Sequence, residues 1–206
     1  MKKENIIKKK IAEAEKSILG LIDSGDLKNL NENEKYKISE FYEEKSKNRL
    51  ESAKLIYNAS RESGKFGLHK GYRDYSEVVS AAYYSMYYIV HAFIALAYKR
   101  KLREGLRGVH AITEHLILYY MVKTGKLAKH LYENYLETLK ITAEVQNISI
   151  KYFEEKAYDY AKKYDETRTN REIFTYNVTE SAEEYRAKQA IDTAEDFINT
   201  VRQLMI

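Results

Sequence analysis

Not one of this chain's 206 residues is proline. Proline is the strongest local interrupter of helices, because it lacks an amide hydrogen and its ring clashes with the preceding turn. With only eight glycines as further punctuation, the chain has few places to stop a helix. Leu, Ala, Glu and Lys, all good helix formers, fill the intervals. Loop-rich and sandwich folds are therefore disfavoured.

The most apolar stretch is Ser76–Tyr98, in which small residues alternate with paired tyrosines. Val79, Tyr83, Met86, Val90, Phe93 and Ala97 recur at three- or four-residue spacing, and Tyr84, Tyr88 and Ala95 widen the stripe. A helix apolar over so much of its circumference belongs in the middle of a bundle. Ala81, Ala82, Ser85 and Ala92 would let neighbouring helices come close, and buried tyrosine hydroxyls would need partners.

Helical periodicity continues on both sides. Ile7, Ile11, Ala14, Ile18 and Leu21 form the face of a first helix ending in the turn-like Asp23–Asp26. Asn31 or Asn33 can cap a second helix reaching about Ser60, with Tyr36, Phe41, Leu50, Ala53 and Tyr57 as its stripe. Asp74 or Ser76 caps the tyrosine-rich helix, and Lys99–Gly105 reads as its basic, glycine-terminated ending. A fourth helix spans about Gly108–Lys123, and a long tract follows from Leu127 to about Thr167. The last helix is expected to open on Thr179 as N-cap, with Glu180, Glu183 and Glu184 in its first turn. Its stripe holds Ile191, Ala194, Phe197 and Ile198, predicted to share one core with Val79, Met86, Val90 and Phe93. No period-two strand and no repeat is evident. The expected fold class is all-α: an up-and-down helical bundle of four to five core helices with an extra N-terminal helical hairpin. Residues 1–45 are read as the appendage and 46–206 as the bundle, with a lengthened tract at about 128–166.

Composition narrows the function classes. No cysteine is present, so disulfides and thiolate metal sites are ruled out and a cytoplasmic setting fits. No uninterrupted apolar run is long enough to span a bilayer, and Met1–Lys10 is too polar for a signal peptide; no membrane association is expected. The five histidines lack HExxH spacing, and no Glu-x-x-His pair repeats as a di-iron bundle requires. No metal and no cofactor is expected. The net charge of +4 permits nucleic-acid contact without demanding it.

Two polar segments could carry chemistry. Lys99, Arg100, Lys101, Arg103 and Arg107 lead into His110 at a helix start, where cations could hold a phosphate and an imidazole could move a proton. The same segment also suits a solvated connection. Arg168, Arg171 and Tyr176 precede the last helix. A guanidinium grips phosphate bidentately and a phenol ring stacks on a base, although interhelical arginine–glutamate pairs would explain them as well.

Several stretches resemble one family. Ala82-Tyr83-Tyr84-Ser85-Met86-Tyr87 is similar to the A-Y-Y-A-M-F helix of HEPN-domain proteins (higher eukaryotes and prokaryotes nucleotide-binding), in particular their UPF0332-like branch. His110–Leu118 with Val122-Lys123-Thr124-Gly125 resembles the family's later histidine helix. Arg171–Tyr176, Thr179–Glu184 and Ala194–Ile198 resemble its R-x4-Y segment and final acidic helix. The likeness runs in order over about residues 50–206. It implies a bundle commonly paired as a homodimer. Many relatives are metal-independent endoribonucleases, often toxins encoded beside a small nucleotidyltransferase antitoxin, with an R-x4-6-H motif binding and cleaving RNA. Carried across, the arginine is Arg171, and Tyr176 stands where the histidine would be. A phenol with pKa about 10 is a poor general base at neutral pH, whereas imidazole near 6.5 is well matched. Arg103-x6-His110 fits the motif literally, on a different helix. Two function classes follow: an RNA- or nucleotide-binding protein with or without ribonuclease activity, and a non-catalytic dimeric module that binds a partner such as a nucleotidyltransferase.

Overall fold

A computed structural model describes the backbone of residues 2–145 and 178–206, with side chains for 7–142 and 183–206. The order is α1 (Lys2–Asp23), β1 (Leu27–Asn29), α2 (Glu32–Arg61), a 3-10 turn (Ser63–Phe66), α3 (Tyr75–Tyr98), β2 (Arg100–Leu102), α4 (Val109–Ile117) running into a π turn (Leu118–Val122), α5 (Lys129–Val145) and α6 (Val178–Gln203). The fold is an all-α bundle.

Local chemistry explains most boundaries. Asn31 and Glu34 form a capping box: the Asn31 side chain accepts from the Glu34 amide and the Glu34 carboxylate accepts from the Asn31 amide, both at 2.9 Å. Asp74 caps α3 by accepting from the Glu77 amide, and its own amide donates to Ser60 Oγ at 2.9 Å, which closes the α2–α3 turn. Two expected ends differ. Helix α3 stops at Tyr98 with Lys99 left-handed at φ 53°, while Gly105 serves a later turn. Helix α6 already includes Val178, so Thr179 lies within it rather than capping it.

Helix α3 is the central rod. Val78, Met86, Ile89, Val90 and Phe93 are fully buried, and Ala97 is exposed because the stripe runs out of bundle before the helix ends. By length and composition α3 could cross a membrane, but 83% of its most apolar window is buried inside the bundle. The anticipated shared core is present: Val79, Met86, Val90, Phe93, Ile191, Ala194, Phe197 and Ile198 are all buried in one cluster.

The face that α2 buries matches the anticipated stripe in part: Leu50 and Ala53 are buried and Tyr57 packs against the core, whereas Tyr36 and Phe41 are 59% and 49% exposed. Helix α2 also buries Ser39, Ser46 and Ser60, which with Ala53 are small residues seven apart that let its backbone approach α3. Ser46 Oγ donates to the Ser85 carbonyl at 2.7 Å across that seam. The pairs Ser46–Ser85 and Ser60–Asp74 make α2 antiparallel to α3. Arg202–Glu43 (3.1 Å), Lys54–Glu195 (2.7 Å) and Arg61–Glu184 (2.9 Å) make it antiparallel to α6.

The expected domain boundary at residues 45–46 falls inside α2, which passes through it unbroken. Ala14 and Ile18 of α1 are fully buried in the same core as Phe93 and Phe197. Lys10–Glu114 (3.0 Å) and Lys123–Glu15 (2.5 Å) tie α1 to the fourth helical segment. The all-α bundle also holds one short strand pair that no period-two pattern announces. Leu27, Lys28 and Asn29 pair antiparallel with Leu102, Lys101 and Arg100. Three-residue strands are too short to leave a period-two signal.

Candidate functional site

The first turn of α4 lays a half-buried His110 against α3. Tyr83 Oη lies 2.7 Å from His110 Nδ1 and 3.3 Å from Tyr135 Oη. Tyr135, on α5, is fully buried, and its ring stacks on Phe197 of α6 at 5.6 Å. The rings of Tyr84 and Tyr87 approach His110 to 5.7 and 5.6 Å. Burial in this aromatic collar lowers the His110 pKa, so the imidazole is neutral at pH 7. Burial pushes the pKa values of Tyr83, Tyr87 and Tyr135 well up, and these hydroxyls stay protonated.

A second histidine lies one layer deeper. His91 Nε2 is 3.0 Å from Thr113 Oγ1, and Thr113 spends its single proton on the Val109 carbonyl at 2.7 Å. Nε2 must therefore be the donor, which fixes the His91 tautomer. Burial, and then the neighbouring His110, bring its pKa down to about 4. Tyr87 and Tyr42 flank it at 4.5 and 5.5 Å. Thr113 and the two histidines thus pin the start of α4 to α3.

Outward from this cluster, aromatic rings carry cations. The Arg49 guanidinium sits 5.8 Å from the Tyr84 ring. Lys45 sits 5.3 Å from Tyr88 and 4.6 Å from the half-exposed Phe41. Rings with cations between them suit a base-and-phosphate ligand, since bases stack and phosphates pair with charge.

The basic segment ahead of His110 is engaged with carboxylates and a backbone carbonyl. Lys99 pairs with Glu32, Lys101 with Glu104 at 3.0 Å, and Arg103 with Asp26 at 2.7 Å. Arg100 donates to the Leu27 carbonyl at 3.4 Å. The contacts of Lys99, Arg100 and Arg103 hold β2 against the α1–α2 connection, and Arg107 is exposed. Arg168, Arg171 and Tyr176 lie outside the described residues. Among the described residues no three His, Cys, Asp or Glu side chains gather as metal ligands.

Sequence reasoning singled out His110 but missed Tyr83, Tyr135 and His91 as its company. Tyr83 read as core stripe, which it also is, and no spacing links it to a tyrosine 52 residues away. Compared with family models, curated proteins and solved structures, the chain matches none of them.

Proposed function

We propose that this protein is a HEPN-like RNA- or nucleotide-binding protein that works without a metal, with binding outlasting efficient cleavage. The observation that carries the reading is the neutral, half-buried His110 at the head of a tyrosine network, beside rings that bear Arg49 and Lys45. Nucleotides need a stacking surface, a hydrogen-bonding group and positive charge, and this face offers all three. The resemblance over residues 50–206 supports the same ligand class and adds Arg171 as a phosphate-binding group and Tyr176 in the histidine position. Replacing a positioned imidazole by a phenol costs on the order of 10²–10⁴ in rate, hence the expectation of weak cleavage.

The test is binding and single-turnover cleavage of a mixed-sequence single-stranded RNA by wild type, Arg171→Ala, Tyr176→His and His110→Gln. Binding weakened by Arg171→Ala and cleavage raised by Tyr176→His support the reading. Absence of RNA and nucleotide binding in the wild type removes it.

A second reading has its own support. Tyr36, Phe41 and Leu55 expose apolar surface on α2, as an interaction module pairing with a second copy or a nucleotidyltransferase would.

A further inference from the structure

The hydrogen-bond chain behind His110 has a direction. Tyr135 is fully buried, and among the described residues its hydroxyl's only hydrogen-bonding partner is Tyr83. Among the described residues Tyr83, 1% exposed, reaches only Tyr135 and His110 with its own hydroxyl. Each hydroxyl has one proton to place, and a buried donor left without an acceptor is heavily penalised. Tyr135 donating to Tyr83, and Tyr83 donating to His110 Nδ1, places both. If Nδ1 carried the proton and donated to Tyr83, one of the two phenol protons would be stranded in the core.

We propose that Tyr83 and Tyr135 act as positioning residues that hold His110 as the tautomer protonated on Nε2, and that this outward N–H donates to a phosphate oxygen of the ligand. The ligand half rests on the RNA- or nucleotide-binding reading; the tautomer half does not. Nε2 has no hydrogen-bond partner among the described residues, and His110 as a whole is only half-buried. The groups facing the imidazole are Tyr83, Tyr84 and Tyr87 of α3 with His91 beyond them, and Arg49 of α2 across the Tyr84 ring. On its own helix Glu114 is one turn away, occupied by Lys10 and Tyr132. Glu77 of α3 pairs with Arg49 at 3.9 Å. Among the described residues no carboxylate without such a partner faces the imidazole to favour the imidazolium, and a position in the first turn of a helix disfavours positive charge. An acceptor oxygen carrying negative charge is the complement of such a donor, and a phosphate supplies it.

Protonating His110 would require Tyr83 to turn, accept from Nδ1–H and pass its own proton to Tyr135. That reversal strands the Tyr135 proton, which holds the imidazole neutral. Tyr83→Phe removes the donor that occupies the Nδ1 lone pair, so the midpoint rises, by roughly half a pH unit or more. Tyr135→Phe leaves the Tyr83 proton on Nδ1 and strands one phenol proton on protonation as before, so the midpoint stays close to that of the wild type. The experiment is nitrogen-detected NMR titration of the full chain, with His110 assigned through His110→Gln, followed by addition of inorganic phosphate or a short single-stranded RNA. Nε2–H in the wild type, a midpoint raised in Tyr83→Phe and little moved in Tyr135→Phe, and an Nε2–H signal that moves with RNA confirm the proposal. An Nδ1–H tautomer, or a midpoint that falls in Tyr83→Phe, overturns the tautomer half. RNA that binds without moving the His110 signal overturns the ligand half and leaves RNA binding standing. A response to inorganic phosphate with no RNA bound keeps the donor site, assigns it to free phosphate and removes the RNA reading.

Discussion

His91 shows how one buried side chain couples stability to pH. Its pKa lies near 4 when folded, against an ordinary 6.5, so between those values the unfolded chain binds the proton that the folded chain refuses. Its contribution is complete above about pH 6.5 and is lost as pH falls through about 4. A shift of this size corresponds to roughly 3 kcal/mol. Urea unfolding at pH 7.5 and pH 4.5 is expected to show a steeper loss of stability for wild type than for His91→Gln. Equal losses in both would mean that His91 is not buried neutral. Phe197, fully buried against Tyr135, is a separate test of the core: Phe197→Ala should cost about 3–5 kcal/mol by the same measurement.

Among the elements, the α2–α3 seam departs most from what the pattern of apolar residues suggests. Hydrophobic spacing located α3 and α6 because their stripes are long and made of large side chains. It found only part of the face of α2, Leu50 and Ala53, because Ser39, Ser46 and Ser60 are small and polar and carry little apolar weight. Their value is geometric, since close backbone approach needs small side chains. Tyr36 and Phe41 filled the apparent stripe instead and are exposed. Ser46→Leu should therefore overpack the seam and cost about 1–3 kcal/mol, although by hydrophobicity alone it would look favourable; a thermal melt with no loss would contradict the packing described. The Asn31 cap was legible because side chain and backbone chemistry are local. Asn31→Ala is expected to cost about 0.5–2 kcal/mol, read as a lower denaturant midpoint.

For the molecule as a whole, the same limit applies to the site. His110 could be picked out because histidines are few, but its collar assembles from α3, α4 and α5. Only the fold brings Tyr83 and Tyr135 together. The pairing of β1 with β2 is likewise non-local, and it draws Arg100 and Arg103 into contacts with Leu27 and Asp26 that their sequence position beside His110 did not indicate. What unites these observations is a bundle that keeps a neutral imidazole at the edge of an aromatic and cationic face. The most direct measurement is the affinity of the full chain for a short single-stranded RNA at one fixed salt concentration, compared with His110→Gln and Arg49→Ala. The account predicts measurable binding that each substitution weakens by about tenfold, one hydrogen bond or one charge contact in free energy, with thermal stability retained. No binding by the wild type, or binding indifferent to both substitutions, would contradict it.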